Sequence, residues 1–403
     1  MPQLRSVTLQ SRQIAFSHGI SISGLRAILS VPALRELTMK DLILAPSLQD
    51  RLRYPNGFPV THIPPLTSFH YLFSNSPVRY HPLVERECLG RILGRVNIAL
   101  ESLTLPAKTG LFAEMCLHEW PFLRHLRMYG RYADAPEVLR ASSYPTFPRM
   151  RSLSLDIGLT TQDTEDHSIN VRRAASGTCT SFVLPWPELD HIRIPNPLPE
   201  DDIYDRLPCY LSSLELVSHP HYTPSWVLNP FCHPYFDGFN CVPLTEANML
   251  RILSRCSGMS LTRLAIEYVI ASPGSSETLQ FVAQTFPQLV ELELFRRQPP
   301  LPAPETGDER LSLWKPDPPE WVESNVTIVA NALQPLSHLR VFRAHLDLKE
   351  TYTYTNPGRE YCLYDWRVKW ASRVLEFQDE TRVADVVTIF KDVTVDLGVW
   401  TAG

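Results

Sequence analysis

Phe286-Pro287-Gln288-Leu289-Val290-Glu291-Leu292-Glu293-Leu294 decides how this chain folds, because the chain keeps restating it. The phrase is Pro-x-Leu-x-x-Leu-x-Leu. On an extended strand its last two leucines, two residues apart, share one face and point into a core. The proline drives the residue before it out of helical geometry, so any preceding helix ends there. The first leucine then tucks under the turn. The phrase recurs with its proline at Pro2–Leu9, Pro32–Met39, Pro64–Tyr71, Pro121–Met128, Pro148–Leu155 and Pro187–Ile194. Versions lacking the proline stand at Leu100–Leu105, Leu211–Leu216, Leu261–Ile266 and Leu339–Ala344. A single Leu-x-x-Leu-x-Leu arises readily by chance in a helix. Eleven phrases, seven with a fixed proline and their first apolar positions 22 to 50 residues apart, do not.

Short amphipathic segments precede several phrases. Leu25, Ile28 and Leu29 lead into the second phrase, and Met249, Leu250 and Leu253, after Thr245 as N-cap, into the ninth. Leu279, Val282 and Phe286 precede the tenth, and Val322, Val326, Val329 and Leu333 the eleventh, all at spacings of helical period. A helix and a strand repeated in this way cannot bury their apolar faces alone, so the units stack. The expected fold is α/β, an irregular solenoid or horseshoe over residues 1–345, with a parallel concave sheet and helices outside. Insertions near 42–63, 156–184, 217–243 and 298–320 interrupt the period. Residues 346–403 read as a C-terminal cap, in which Val393–Leu397 alternates like an edge strand.

The composition narrows the function classes. Thirty-six prolines against sixteen glycines suit many short elements punctuated by turns, and disfavour Gly-rich phosphate cradles. A formal net charge of −5 argues against a nucleic-acid partner. No signal peptide is visible at the N-terminus and no apolar run of membrane-spanning length occurs. The eight cysteines form no Cys-x-x-Cys pair and read as reduced thiols, which places the protein in the cytoplasm or nucleus with no membrane partner.

The repeats resemble leucine-rich repeats in the irregular form found in fungal F-box and leucine-rich-repeat proteins. The phrases at Pro32, Pro121, Pro148 and Pro287 carry the likeness best, and it covers roughly Met1 to Asp347. The resemblance implies a non-enzymatic protein-binding module, the substrate-recognition part of a cullin-type ubiquitin ligase subunit, with a protein client and a ligase adaptor as partners. The chain departs from the family in two ways. Where the family pattern has Asn or Cys three residues after the last strand leucine, this chain has Leu42, Lys108, Arg131, Gly158, His219, Val269 and Arg297. The turns must then be satisfied by other groups. No F-box is visible ahead of the first phrase, so either the first unit is an atypical cap or the sequence begins inside a longer ancestor.

Period two also selects the side chains that alternate out of the core. The candidate partner-binding residues on the concave face are His125, Arg127, Tyr129, His191 and Arg193 in the middle of the array, and Glu215, Glu267, Glu291, Glu293, Phe295 and Arg343 later. The first group is basic and aromatic, the second mostly acidic. Glu36, Thr38, Lys40, Ser152, Ser154, Asp156, Ser213, Arg263 and His345 share the same alternation.

Catalytic signatures are missing: there is no Gly-x-Ser-x-Gly, no phosphate-binding loop and no His-Glu-x-x-His. An alternative reading takes His219, His221, Cys232, His233 and Cys241 as zinc ligands of a metal-dependent or small-molecule enzyme, against a packed insertion loop. The acidic clusters Asp163–His167 and Glu200–Asp205 read as solvated loops. No catalytic residue, metal or cofactor is assigned. A further alternative is a scaffold or degenerate copy with no ligase link.

Overall fold

Each of the eleven phrases folds as a β-strand. The computed structural model describes residues 3–11, 18–20, 22–44, 63–72, 82–107, 115, 117–131, 147–158, 186–218, 243–272, 274–297, 327–346 and 394–396. The chain divides into two compact units, the first running to Pro208 and the second beginning at Cys209. In the first, the strands are β1 (Ser6–Gln10), β2 (His18–Gly19), β3 (Glu36–Lys40), β4 (Leu42–Ile43), β5 (Ser68–Leu72), β6 (Ser102–Pro106), β7 (His125–Arg131), β8 (Ser152–Gly158) and β9 (His191–Pro195). Strands β1, β3, β5, β6, β7, β8 and β9 lie side by side in that order, every neighbour parallel. Short β2 and β4 pair apart from them. The second unit has β10 (Ser213–Val217), β11 (Leu244–Thr245), β12 (Arg263–Val269), β13 (Glu291–Arg297), β14 (Val341–Leu346) and β15 (Thr394–Asp396). Here β10, β12, β13, β14 and β15 follow one another in parallel, with β11 beside β12. The class is α/β, as the phrases require.

Helices connect the strands where the apolar spacing predicts them. Among the described residues they are α1 (Ile22–Leu29), α2 (Pro82–Val96), α3 (Glu246–Arg255) and α4 (Glu277–Thr285), with a further helical stretch over 327–333. The expected N-cap forms, Thr245 accepting from the Asn248 N–H at 3.3 Å. Helix α2 is an addition to the sequence reading; Leu89, Ile92, Leu93 and Val96 form its buried stripe.

The register follows the phrase. Leu37, Phe69, Leu103, Leu126, Leu153 and Ile192 are stacked partners, as are Leu214, Leu264, Leu292 and Phe342 in the second unit. All of these are buried, and so are the first apolar residues Leu34, Leu66, Leu100, Leu123, Met150 and Leu189. The proline's role is a turn. The Leu34, Met150, Leu189 and Leu289 N–H groups donate to the carbonyls of Val31, Phe147, Trp186 and Phe286 at 3.1 to 3.2 Å, which puts proline second in a four-residue turn, where its fixed φ fits. The residue before it is also used. Trp120, Phe147, Trp186 and Phe286 are fully buried, and the Trp120 and Phe147 rings lie 6.5 Å apart at 58°, joining successive repeats.

A second regularity is in the backbone. In nine of the phrases the carbonyl after the first apolar residue accepts two N–H groups from the next repeat, at 2.7 to 3.0 Å. Arg5, Arg35, Thr67, Glu101, Arg124 and Arg151 do so in the first unit, and Ser212, Thr262 and Val290 in the second. These paired hydrogen bonds to one oxygen set the strands that follow to the same register, independently of the side chain at that position.

Buried carboxylates satisfy backbone N–H groups just beyond several strands. Glu85, in the first turn of α2, accepts from the Tyr71 hydroxyl and from the Leu44 N–H at 3.3 Å. Glu246, first residue of α3, accepts from the Ala271 N–H at 3.1 Å and the Thr278 N–H at 3.4 Å. Both stand at helix N-termini, where the helix dipole favours negative charge. Glu267 accepts from the Ser218 N–H at 2.9 Å. After β3 and β9 the chain instead turns through Asp41 and Asn196, at φ 56° and 47°, a region these two residue types tolerate.

Several boundaries move. Leu42 and Ile43, assigned above to an insertion, form β4; Asp156–Gly158 complete β8, Val217 completes β10 and Leu346 completes β14. An insertion read from loss of period begins too early wherever a strand outlasts its phrase. Apart from Leu44, Ile63, Ser218 and Pro243 at their edges, the remainder of the four insertions, and of the 346–403 cap apart from β15, lies outside the described residues. So do the side chains of Arg131 and His345.

Candidate polar sheet faces

In the first unit, three rows of side chains alternate with the core rows. The middle row is Thr8, Thr38, His70, Thr104, Arg127, Ser154 and Arg193, each the register partner of the next. The row before it carries His125 and His191, and the row after it Tyr129 and Asp156. Expected members His125, Arg127, Tyr129, His191 and Arg193 are thus brought together on β7 and β9, the two neighbours of β8.

Their surroundings are more organised than alternation implies. Asp156 sits between the two arginines: Arg127 Nε is 2.6 Å from its Oδ2 and Arg193 Nε 2.7 Å from its Oδ1. The first contact is a hydrogen bond; the second is an ion pair off the hydrogen-bond axis. The Asp156 side chain is 3% exposed, Arg193 24% and Arg127 56%. One buried carboxylate therefore holds two guanidinium groups, with the Ser154 hydroxyl 3.5 Å from Oδ2. Tyr129 is half-buried and donates its hydroxyl to the Tyr71 carbonyl at 2.8 Å, which makes it a brace within the unit.

The sequence reading omitted three members of the middle row, Thr8, His70 and Thr104. His70 lies between Ser68 Oγ, 2.8 Å from Nε2, and Thr104 Oγ1, 2.8 Å from Nδ1. The same alternation, applied to the strands at 6–10, 68–72 and 102–106, would have found all three. Burial holds the His70 pKa below the usual histidine range, with Arg127 adding to the effect against Glu36. Burial also lowers His125, followed by the nearby Arg124 and Arg151 charges. Both histidines protonate more readily in the unfolded chain, where the pKa is about 6.5. Their contribution is present above that pH and is lost as pH falls through their lower folded values. Denaturant midpoints should therefore drop between pH 7.5 and 5.5, and His70→Asn with His125→Asn should flatten that dependence.

The second unit's face is internally paired. Arg263 bridges Glu215 at 3.2 Å and Glu291 at 3.8 Å, and Arg343 pairs with Glu291. These four residues form an alternating ladder across β10, β12, β13 and β14, two carboxylates to two guanidinium groups. Glu293 is partly exposed beside it.

Three members expected to be exposed are buried. Glu267, with no exposed side-chain surface, is 2.9 Å from Arg297 Nη2 as well as accepting from Ser218, because it ties the end of β10 to β13. Phe295 is 3% exposed and packs with Val217 and Ala265 in a small apolar cluster. Glu215 is also buried, under Arg263. Period two assigned the correct side of the strand to these residues; it carries no information about what covers that side.

The acidic run at 200–205 is a capping turn, with Asp201 accepting from the Ile203 N–H at 2.9 Å at the start of a 3-10 turn over Asp202–Asp205. Residues Asp163–His167 lie outside the described residues, as do His219, His221, Cys232, His233 and Cys241. Among the described residues no three His, Cys, Asp or Glu side chains gather as a metal site, and no helix is long and apolar enough to cross a membrane. No protein-family model matches the chain and no curated protein matches it, so the functional reading rests on these residues and their geometry.

Proposed function

We propose that this protein is a non-enzymatic protein-binding module, an irregular leucine-rich-repeat solenoid of the F-box-associated kind that recognises the client of a cullin-type ubiquitin ligase from the cytoplasm or nucleus. The observation that carries the binding role is the face of the first unit. Seven parallel strands in one register present a continuous polar surface, rich in hydroxyl, imidazole and guanidinium groups, on a backbone fixed by the repeated carbonyl ladder. Binding faces are best built on rigid elements with locked side chains, and Asp156 locks two of them. The ligase assignment rests on the resemblance of the phrases alone.

Affinity capture of the full chain, followed by mass spectrometry, separates the parts of this reading. A stoichiometric client together with cullin and its adaptor supports it fully. A client without the ligase proteins supports the module and removes the ligase. Stoichiometric zinc in the purified protein, with turnover of a small molecule, would favour the enzyme reading instead.

A further inference from the structure

Strand β1 is the outer edge of the first unit's sheet. Strand β3 pairs along one side of it, and among the described residues no strand pairs along the other. The backbone shows which groups that leaves. The Arg5 carbonyl accepts from the Arg35 and Glu36 N–H groups, and the Ser11 N–H donates to the Lys40 carbonyl at 3.1 Å. Period two then turns the N–H and C=O groups of Val7 and Leu9 toward β3, and those of Ser6, Thr8 and Gln10 away from it. The apolar rows are unfinished at the same place. Leu4, Val7 and Leu9 are partly exposed, whereas their counterparts Leu34, Leu37 and Met39 in the next repeat are 0 to 1% exposed. Free edges are usually blunted by a charge, a proline or a bulge. Ser6–Gln10 has neither charge nor proline and runs in unbroken register with β3.

We propose that β1 pairs with β1 of a second copy of this chain, antiparallel about a twofold axis at Thr8, joining two sheets into one. In this register Ser6 faces Gln10 of the second copy and Thr8 faces Thr8, so the outward N–H and C=O groups of the strand meet their complements. Val7 faces Leu9 of the second copy, and opposed residues share a face of the sheet, so both apolar rows continue across the join. The charges agree with this pairing. Arg5 falls opposite Ser11, so like charges do not meet. Glu36 and Lys40 are the register partners of Ser6 and Gln10, so each row that crosses the join carries Glu36 on one copy and Lys40 on the other. The strand that completes these rows must alternate uncharged polar residues with apolar ones, and Ser6–Gln10 is itself such a strand. A twofold uses the same edge on both molecules and closes the assembly. The polar rows of the two copies then lie on one side of the joined sheet, so the protein presents that face twice.

The test is sedimentation equilibrium of the full chain over a range of concentrations, which should show monomer and dimer in exchange. Thr8→Pro should raise the dissociation constant roughly tenfold or more, because proline removes the N–H at the twofold. It spares the ladder to β3, in which that N–H takes no part. Thr8→Lys should give a similar loss by setting like charges opposite each other. Thermal melts establish that each variant is folded, and the lysine variant carries the test should the proline variant melt early. Thr8→Cys reads the register. Opposed Cα atoms about 5.5 Å apart are within disulfide range, so mild oxidation should yield a covalent dimer. Gln10→Cys, opposite Ser6, should yield none beyond the background of the wild type, whose exposed Cys209 lies in the second unit. A chain that stays monomeric at every concentration, a dimer unchanged in folded Thr8→Lys, or a dimer that Thr8→Cys does not crosslink would overturn the inference.

Discussion

Leu292→Asp should leave the second unit unfolded under conditions where the wild-type protein is native. Leu292 is fully buried, in register with Leu264 on one side and Phe342 on the other. Removing it forfeits the several kcal/mol of a buried leucine, and the carboxylate put in its place has no partner in that row and must be desolvated or neutralised. Together these reach about 5 kcal/mol or more, comparable with the whole stability of an ordinary domain. Far-UV circular dichroism and urea denaturation would show it as a lost or strongly shifted transition. Leu292→Met, close in volume, should cost less than about 1.5 kcal/mol; equal damage from both would mean that the site does not sense burial of charge.

Glu267→Leu is the second large effect, and it tests whether the buried carboxylates hold the strand ends together. The substitution leaves the Arg297 guanidinium, 8% exposed, without its anion and the Ser218 N–H without its acceptor. Breaking one side of a buried pair typically costs 3–5 kcal/mol, on the order of ten times an exposed helical pair such as Arg91–Glu87. Glu267→Leu combined with Arg297→Met should recover much of the loss, since the uncompensated charge is then gone. A denaturant midpoint for Glu267→Leu within error of the wild type would show that the contact carries no stability.

The strands were legible because the phrase encodes them twice, once in the two-residue spacing that buries Leu292 and Leu294 and once in the proline that closes a turn before Leu289. The polar face was legible for the same reason, since alternation is a local property of the chain. What alternation cannot express is depth. Glu267, Phe295 and Glu215 are on the predicted side of their strands and are nonetheless buried, because burial depends on groups distant in sequence. Pairing is non-local in the same way: Asp156 is 29 residues from Arg127, and nothing near either position marks them as partners. The aromatic residue before the proline, at Trp120, Phe147, Trp186 and Phe286, was visible in the sequence and its recurrence is the signal for the buried inter-repeat contact. Glu85 and Glu246 carried the weaker signal, a glutamate in the first helical turn, which usually stands for a solvated dipole partner and here reaches a buried backbone N–H.

The central claim is that the first unit's polar face binds a protein partner. Its most direct measurement is quantitative capture from cell extract with the wild-type chain and with Arg127→Glu and Arg193→Glu combined, each first shown to be folded by its thermal melt. The face account predicts that a stoichiometric client of the wild type is lost from the charge-reversed protein while chaperone and background proteins are unchanged. Recovery of the same client at the same yield by the folded variant would contradict it.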